Sequence, residues 1–168
     1  MNALKEEAES YFMIHFAPIR YGQDNRGIKA VTGENIITNS IASIKGFSKS
    51  LGATLYTCSQ QPHKSFMDIL RWLDAHSVKR AKVEPLIKID YFQQFGNNAE
   101  LLRLVDIMDF FKNGTAKTIR KEKLNSQMAS FIAAHGTDKG AKGAELKSYT
   151  ITDMDGLLND LEDYIMGL

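Results

Sequence analysis

The feature that most narrows what this chain can fold into is a glycine between apolar neighbours, Ile44-Lys45-Gly46-Phe47-Ser48. It lies inside the run Ile41-Ala42-Ser43-Ile44-Lys45-Gly46-Phe47-Ser48-Lys49-Ser50-Leu51-Gly52, where Ile41, Ile44, Leu51 and Leu55 are spaced to share helix faces. A helix is expected to end near Ile44 and a second to begin near Ser48. Gly46 would take a positive φ at little cost and let the chain reverse tightly. Phe47 would then fold inward as the pin between the helices. Ser48 and the residues after it would present free backbone N–H groups at a helix N-terminus, a natural site for phosphate, with Lys45 and Lys49 on either side. The same run also describes an ordinary αα-corner, and its residues alone do not separate the two readings.

A second unit of similar anatomy follows. Val78-Lys79-Arg80-Ala81-Lys82-Val83-Glu84-Pro85-Leu86-Ile87-Lys88 reads as a helix with Ser77 as its N-cap, carrying Lys79, Arg80, Lys82 and Lys88 against a single Glu84. Its expected turn spans residues 87–92, and Asn97-Asn98 open the next helix, with Asn98 read as its cap. Amides and cations without a base-reading constellation suit sequence-independent contact with phosphates. A solvated basic helix face is the plainer alternative.

Around these units the sequence predicts a mainly helical chain with a small β-hairpin near its N-terminus. Residues 4–11 read as a short helix running into an extended stretch through Ile14 and Phe16, and residues 28–31 and 35–38 flank Thr32-Gly33-Glu34 as a hairpin. Ser65, with Asp68 three residues on, marks the start of a helix striped by Phe66, Ile69, Leu70 and Leu73. Leu101, Leu102, Leu104, Val105 and Met108 make a further helix that Asn113-Gly114 closes. Residues 117–134 are expected as one helix, 136–143 as a mobile polar loop, and 152–166 as an acidic terminal helix. The expected divisions are 1–39, 40–112 and 113–168.

The chain has 168 residues, 43% hydrophobic and 24% charged, which suits a folded rather than a disordered protein. Its one cysteine, Cys58, excludes an internal disulfide and fits a reducing compartment. No apolar run approaches the roughly 20 residues of a membrane span, and the first residues lack a signal-peptide pattern, so a cytoplasmic protein with no membrane partner is expected. The net charge of +1 hides an asymmetry: residues 112–147 hold eight Lys or Arg against three Asp or Glu, a net of +5, and residues 151–168 hold five acids and no base, a net of −5. Either a local basic face results or the two segments pair with each other.

Signs of chemistry are thin. His15, His63, His76 and His135 show no metal-ligand spacing, Cys58 lacks a CxxC partner, and the glycine-rich 136–143 lacks the order of a phosphate-binding P-loop. Asp153, Asp155, Asp160 and Asp163 fall on a helix whose spacing spreads them around its surface. Trp72 and Tyr91 are able to stack on bases, but core packing is the expectation for both. No catalytic residue, metal or cofactor is expected.

The order of these motifs resembles the bacterial DNA polymerase III alpha subunit, over the end of its fingers region and its tandem helix-hairpin-helix domain. The resemblance rests on Pro18-Ile19, on Ala42-Ser43-Ile44-Lys45-Gly46-Phe47-Ser48, on Phe66-Met67-Asp68-Ile69-Leu70, on Val78-Lys79-Arg80 with Leu86-Ile87-Lys88-Ile89-Asp90-Tyr91-Phe92, and on Phe95-Gly96-Asn97 with Leu101-Leu102. It covers residues 18–112. It implies a tandem helix-hairpin-helix bundle that binds duplex DNA through phosphates at Lys45, Gly46, Ser48, Lys49, Lys79, Arg80, Lys82 and Lys88. It also implies a non-catalytic piece of a replicative polymerase, partnered by the rest of that enzyme and other replisome proteins. Two positions depart from the pattern: Ser48 stands for the hairpin's second glycine, and Asp90 stands where glycine is usual. A carboxylate repels phosphate, so the second hairpin is expected to position more than to bind. A helical protein-interaction domain on a degenerate hairpin scaffold is the alternative function.

Overall fold

A computed structural model describes residues 15–26, 29–30, 36–38 and 40–167. The helix expected at 4–11 and the turn Thr32-Gly33-Glu34 lie outside them. The chain is mainly helical and forms two compact units, one ending at Phe95 and the other beginning at Gly96. The expected divisions at 39/40 and 112/113 fall inside these units.

The first unit opens on three short strands, β1 (His15–Ala17), β2 (Lys29–Ala30) and β3 (Ile36–Thr38), in the order β1-β3-β2. The expected hairpin is the antiparallel pair β2–β3, with Ala30 opposite Ile37. β1 lies parallel to β3, a pairing the sequence did not announce. The helix expected to end near Ile44 is a single 3-10 turn, Ile41–Ser43, capped by Ser40. β3 runs to Thr38 and the reversal sits at Gly46, so the intervening residues have room for one turn only.

Three helices follow: α1 (Lys49–Ser59), α2 (Phe66–Ala75) and α3 (Arg80–Lys88). Ser48 caps α1 and Ser65 caps α2, each accepting from the amide three residues on, as the sequence predicts. Ser77 does not cap α3. It stands past the end of α2 at φ 66°, where its N–H donates to the Asp74 carbonyl at 3.2 Å and that of Val78 to Leu73 at 2.8 Å. This is a Schellman closure, and it buries Val78 with Leu73. The N-cap of α3 is Lys79, which offers no capping side chain.

The same closure recurs after α3. Asp90 takes φ 64°, its N–H donates to Ile87 at 3.0 Å, and that of Tyr91 to Leu86 at 3.0 Å. Asp90 thus stands in a position that favours glycine, and the reversal delivers Tyr91 and Phe92 to the core, both at most 2% exposed. Phe92 meets Phe66 at 5.2 Å between ring centroids and Tyr21 at 5.6 Å, and Phe95 meets Tyr21 at 5.2 Å. Tyr21 follows β1; its N–H donates to the Tyr91 carbonyl at 2.9 Å and its ring is buried.

The second unit starts with α4 (Asn98–Phe111), whose cap is Asn97 rather than Asn98. Residues 117–134 are not one helix. They form β4 (Ala116–Arg120), a 3-10 turn and α5 (Ser126–Ala134). β-branched Thr118 and Ile119 favour a strand, and Asn125 caps a fresh helix by accepting from Met128 N–H at 2.8 Å. The expected loop at 136–143 is largely strand: β5 (Gly136–Ala141) pairs with β6 (Leu146–Ile151) across an irregularity at Asp138/Gly140. The antiparallel sheet runs β4-β6-β5. The terminal helix α6 (Met154–Met166) packs on α4 and α5 and buries Leu157, Leu158 and Leu161.

Two of the tail carboxylates, though exposed, are paired. Asp153 and Asp160, seven residues apart and so on one helix face, both reach His135: Oδ2 of Asp153 lies 3.1 Å from Nδ1 and Oδ2 of Asp160 lies 2.6 Å from Nε2. Gly156 makes room for the ring, because a Cβ there would stand 2.7 Å from its Cε1 and 2.8 Å from its Nδ1. Gly156→Ala is therefore expected to cost about 1–3 kcal/mol, read by chemical denaturation. The hydrogen bond to Asp160, helped by that to Asp153, holds His135 above the ordinary imidazole range, so the clamp favours the charged ring. Its contribution is full below about pH 6.5, the ordinary histidine value, and fades as pH rises through the raised value of the folded state. Denaturation between pH 6 and 9 should show the wild type losing stability with pH that the His135→Gln variant does not lose.

Candidate nucleic-acid interface

Gly46 adopts φ 86°, and no atom stands within 4 Å of where a Cβ would be. The reversal therefore needs glycine for its backbone angle and leaves open space outside it. Ser48 then caps α1, its Oγ accepting from the Leu51 amide at 3.2 Å. The amides of Lys49 and Ser50, in the first turn, have no acceptor within the helix and point from its positive end. Ser48, Lys45, Lys49 and Gly46 are all exposed. Phe47 is half-buried, so it serves as the expected pin only in part.

The turn is tied to α3 by one contact that the sequence did not reveal. Lys82 Nζ donates to the Gly46 carbonyl at 2.6 Å and lies 5.5 Å from the Phe47 ring centroid. An ammonium carries three donors, so one bond to a carbonyl leaves two for an anion. Gly46, Ser48, Ser50 and Lys82 line one open hollow of about 280 Å³. Over residues 1–95 the chain holds twelve Lys or Arg against nine Asp or Glu, a net of +3, a modest positive bias that the total charge conceals.

The eight expected contact residues thus divide. Lys45, Gly46, Ser48, Lys49 and Lys82 gather at the turn. Lys79 reaches back to Asp74, with Nζ 2.9 Å from both its carboxylate and its carbonyl, and Arg80 Nε lies 2.6 Å from Glu84. Both are already neutralised locally. Lys88 is exposed but stands six residues beyond Lys82, about 9 Å further along the helix, and does not line the hollow. The turn at 87–92 exposes Ile89 and Asp90 and presents no lysine of its own besides Lys88.

Other polar groups of this unit are structural. Cys58 is fully buried with Tyr21 OH at 3.7 Å, and His63 Nε2, 3.5 Å from the sulfur, lies 2.8 Å from the Cys58 carbonyl. Burial pushes the Cys58 thiol up, away from the thiolate that a nucleophile requires. Tyr91 is core, as expected, whereas Trp72 is half-buried at the surface. Comparison with protein-family models, with curated proteins and with solved structures finds no match to this chain. Among the described residues, no helix is long and apolar enough to cross a membrane.

Asp90 gives a direct test of the second reversal. Asp90→Val puts a β-branched residue at positive φ and should cost about 1–2 kcal/mol, whereas Asp90→Gly should be neutral or stabilising by up to about 1 kcal/mol. Thermal midpoints of the two variants would then move in opposite directions or by clearly unequal amounts.

Proposed function

We propose that the unit ending at Phe95 is a sequence-independent duplex-DNA-binding module of the helix-hairpin-helix kind, part of a replicative DNA polymerase III alpha subunit and not itself catalytic. The observation that carries the reading is the Gly46 turn: two uncapped amides at the start of α1, exposed Lys45 and Lys49 on either side of the reversal, and Lys82 lining the open hollow beside Gly46, Ser48 and Ser50. That chemistry suits a phosphate and reads no base. The resemblance of residues 18–112 to the polymerase's fingers end and hairpin domain supports the larger context, where such a module would hold newly made duplex. The second reversal, with Asp90 at its turn, positions the basic helix instead of gripping a strand.

Binding rests on about three cations, so log affinity should fall with log salt at a slope of about −2.7, a loss of roughly 40-fold between 50 and 200 mM. Lys45→Glu with Lys49→Glu should abolish binding to a fluorescent duplex of arbitrary sequence at low salt, while the far-UV circular dichroism stays unchanged. The internal ion pairs of Lys79 and Arg80 favour a second reading, a helical protein-interaction domain. No duplex binding by the wild type at 50 mM salt would select it.

A further inference from the structure

The C-terminal end of α2 carries a pair of rings that neither the core nor the phosphate turn explains. Trp72 and His76 stack at 3.6 Å between centroids with 13° between planes. His76 Nδ1 donates to the Trp72 carbonyl at 2.8 Å, which fixes that ring in place. His63 stands edge-on to the indole at 6.4 Å and 80°. His76 is exposed and lines the hollow of the Gly46 turn, whereas Trp72 lines a second hollow of about 390 Å³ with Pro62, His63 and Arg71. The stacked pair therefore joins a cationic, amide-rich hollow to an aromatic one.

From this geometry we infer that the module binds the junction of duplex and single-stranded DNA, with unpaired bases stacking along His76 and Trp72. The inference rests on the phosphate reading of the Gly46 turn. A strand held there by its phosphate has the exposed His76 ring as its neighbour, and a flat aromatic surface takes any base because every base has a π-face. Arg71, in the second hollow, offers both a cation for the next phosphate and a planar group for stacking. Asp68 also lines that hollow, but its carboxylate accepts from the Lys64 amide at 3.2 Å at the start of α2.

Trp72 is the only tryptophan, so its emission reports on the site directly. The experiment compares one duplex in blunt form, with a four-nucleotide overhang on either strand end, and with the same overhangs made abasic. The abasic versions keep the phosphates and remove the bases. For one overhang polarity the base-bearing form should bind about 10-fold tighter than its abasic counterpart and quench Trp72 emission. Trp72→Leu should lose that difference but still bind blunt duplex, and Trp72→Phe should restore much of it. Equal affinity for base-bearing and abasic overhangs of both polarities, or Trp72 emission unchanged at saturation, overturns the inference. Loss of blunt-duplex binding by the wild type would instead defeat the phosphate reading beneath it.

Discussion

The helices of the first unit are too short to stand alone. α2 has 10 residues and α3 has 9, below the roughly 12–15 at which isolated helices become even marginally stable in water. Their ends hold them. At Ser77 and again at Asp90 the chain enters the left-handed region, closes two hydrogen bonds onto the last turn, and turns the next residue inward. A non-glycine residue in this conformation is strained, and the strain is offset by burying Val78 against Leu73 and Tyr91 against Leu86. The aromatic cluster around Phe92 depends on the second reversal. The approach of Lys82 to the Gly46 turn depends on the first, since that reversal sets where α3 begins.

Which parts of this the residues disclose follows from how many conformations each signal permits. Ser65 with Asp68, ahead of a 3.6-residue apolar stripe, permits little but a helix start, and α2 begins where that pattern says. Ser77 permits two. Serine caps a helix that follows, and it also tolerates the left-handed position after a helix that precedes, so the residue alone does not choose. The choice is made by Val78, whose burial requires the reversal. In the second unit, β4 and β5 hide for another reason. Their outward positions meet no apolar layer, so Thr118, Thr137 and Lys139 leave no two-residue hydrophobic rhythm to find. Pairing with β6, whose Tyr149 and Ile151 are buried, makes them strands.

The site was legible as composition and less so as geometry. The residues around the two turns give eight expected contacts, with the second turn set below the first only because of Asp90. Distances separate them, because Asp74 pairs with Lys79 and Glu84 with Arg80. The Glu84 pairing is an i,i+4 pair and visible in the sequence. The Asp74–Lys79 pairing depends on the chain reversal between them and is not. The contact of Lys82 with Gly46 spans 36 residues, beyond any local pattern, whereas His76 and Trp72 stand four residues apart and only the hollows that they line are hidden from the sequence. An indole on an apolar helix stripe reads as core, and only the position of His76 four residues later hints that one face is otherwise engaged.

The three reversals of the first unit differ in the residue that each requires. Ser77 and Asp90, at φ 66° and 64°, lie within the narrow left-handed well that side chains tolerate, roughly 50–70°. Gly46, at 86°, lies outside it. The glycine is therefore dictated by the backbone and not by crowding, since the space beyond its Cα is empty. At the other two reversals a side chain is admitted, and the residue that follows each, Val78 or Tyr91, is buried. The same folding device thus closes helices at two positions and opens a surface at the third.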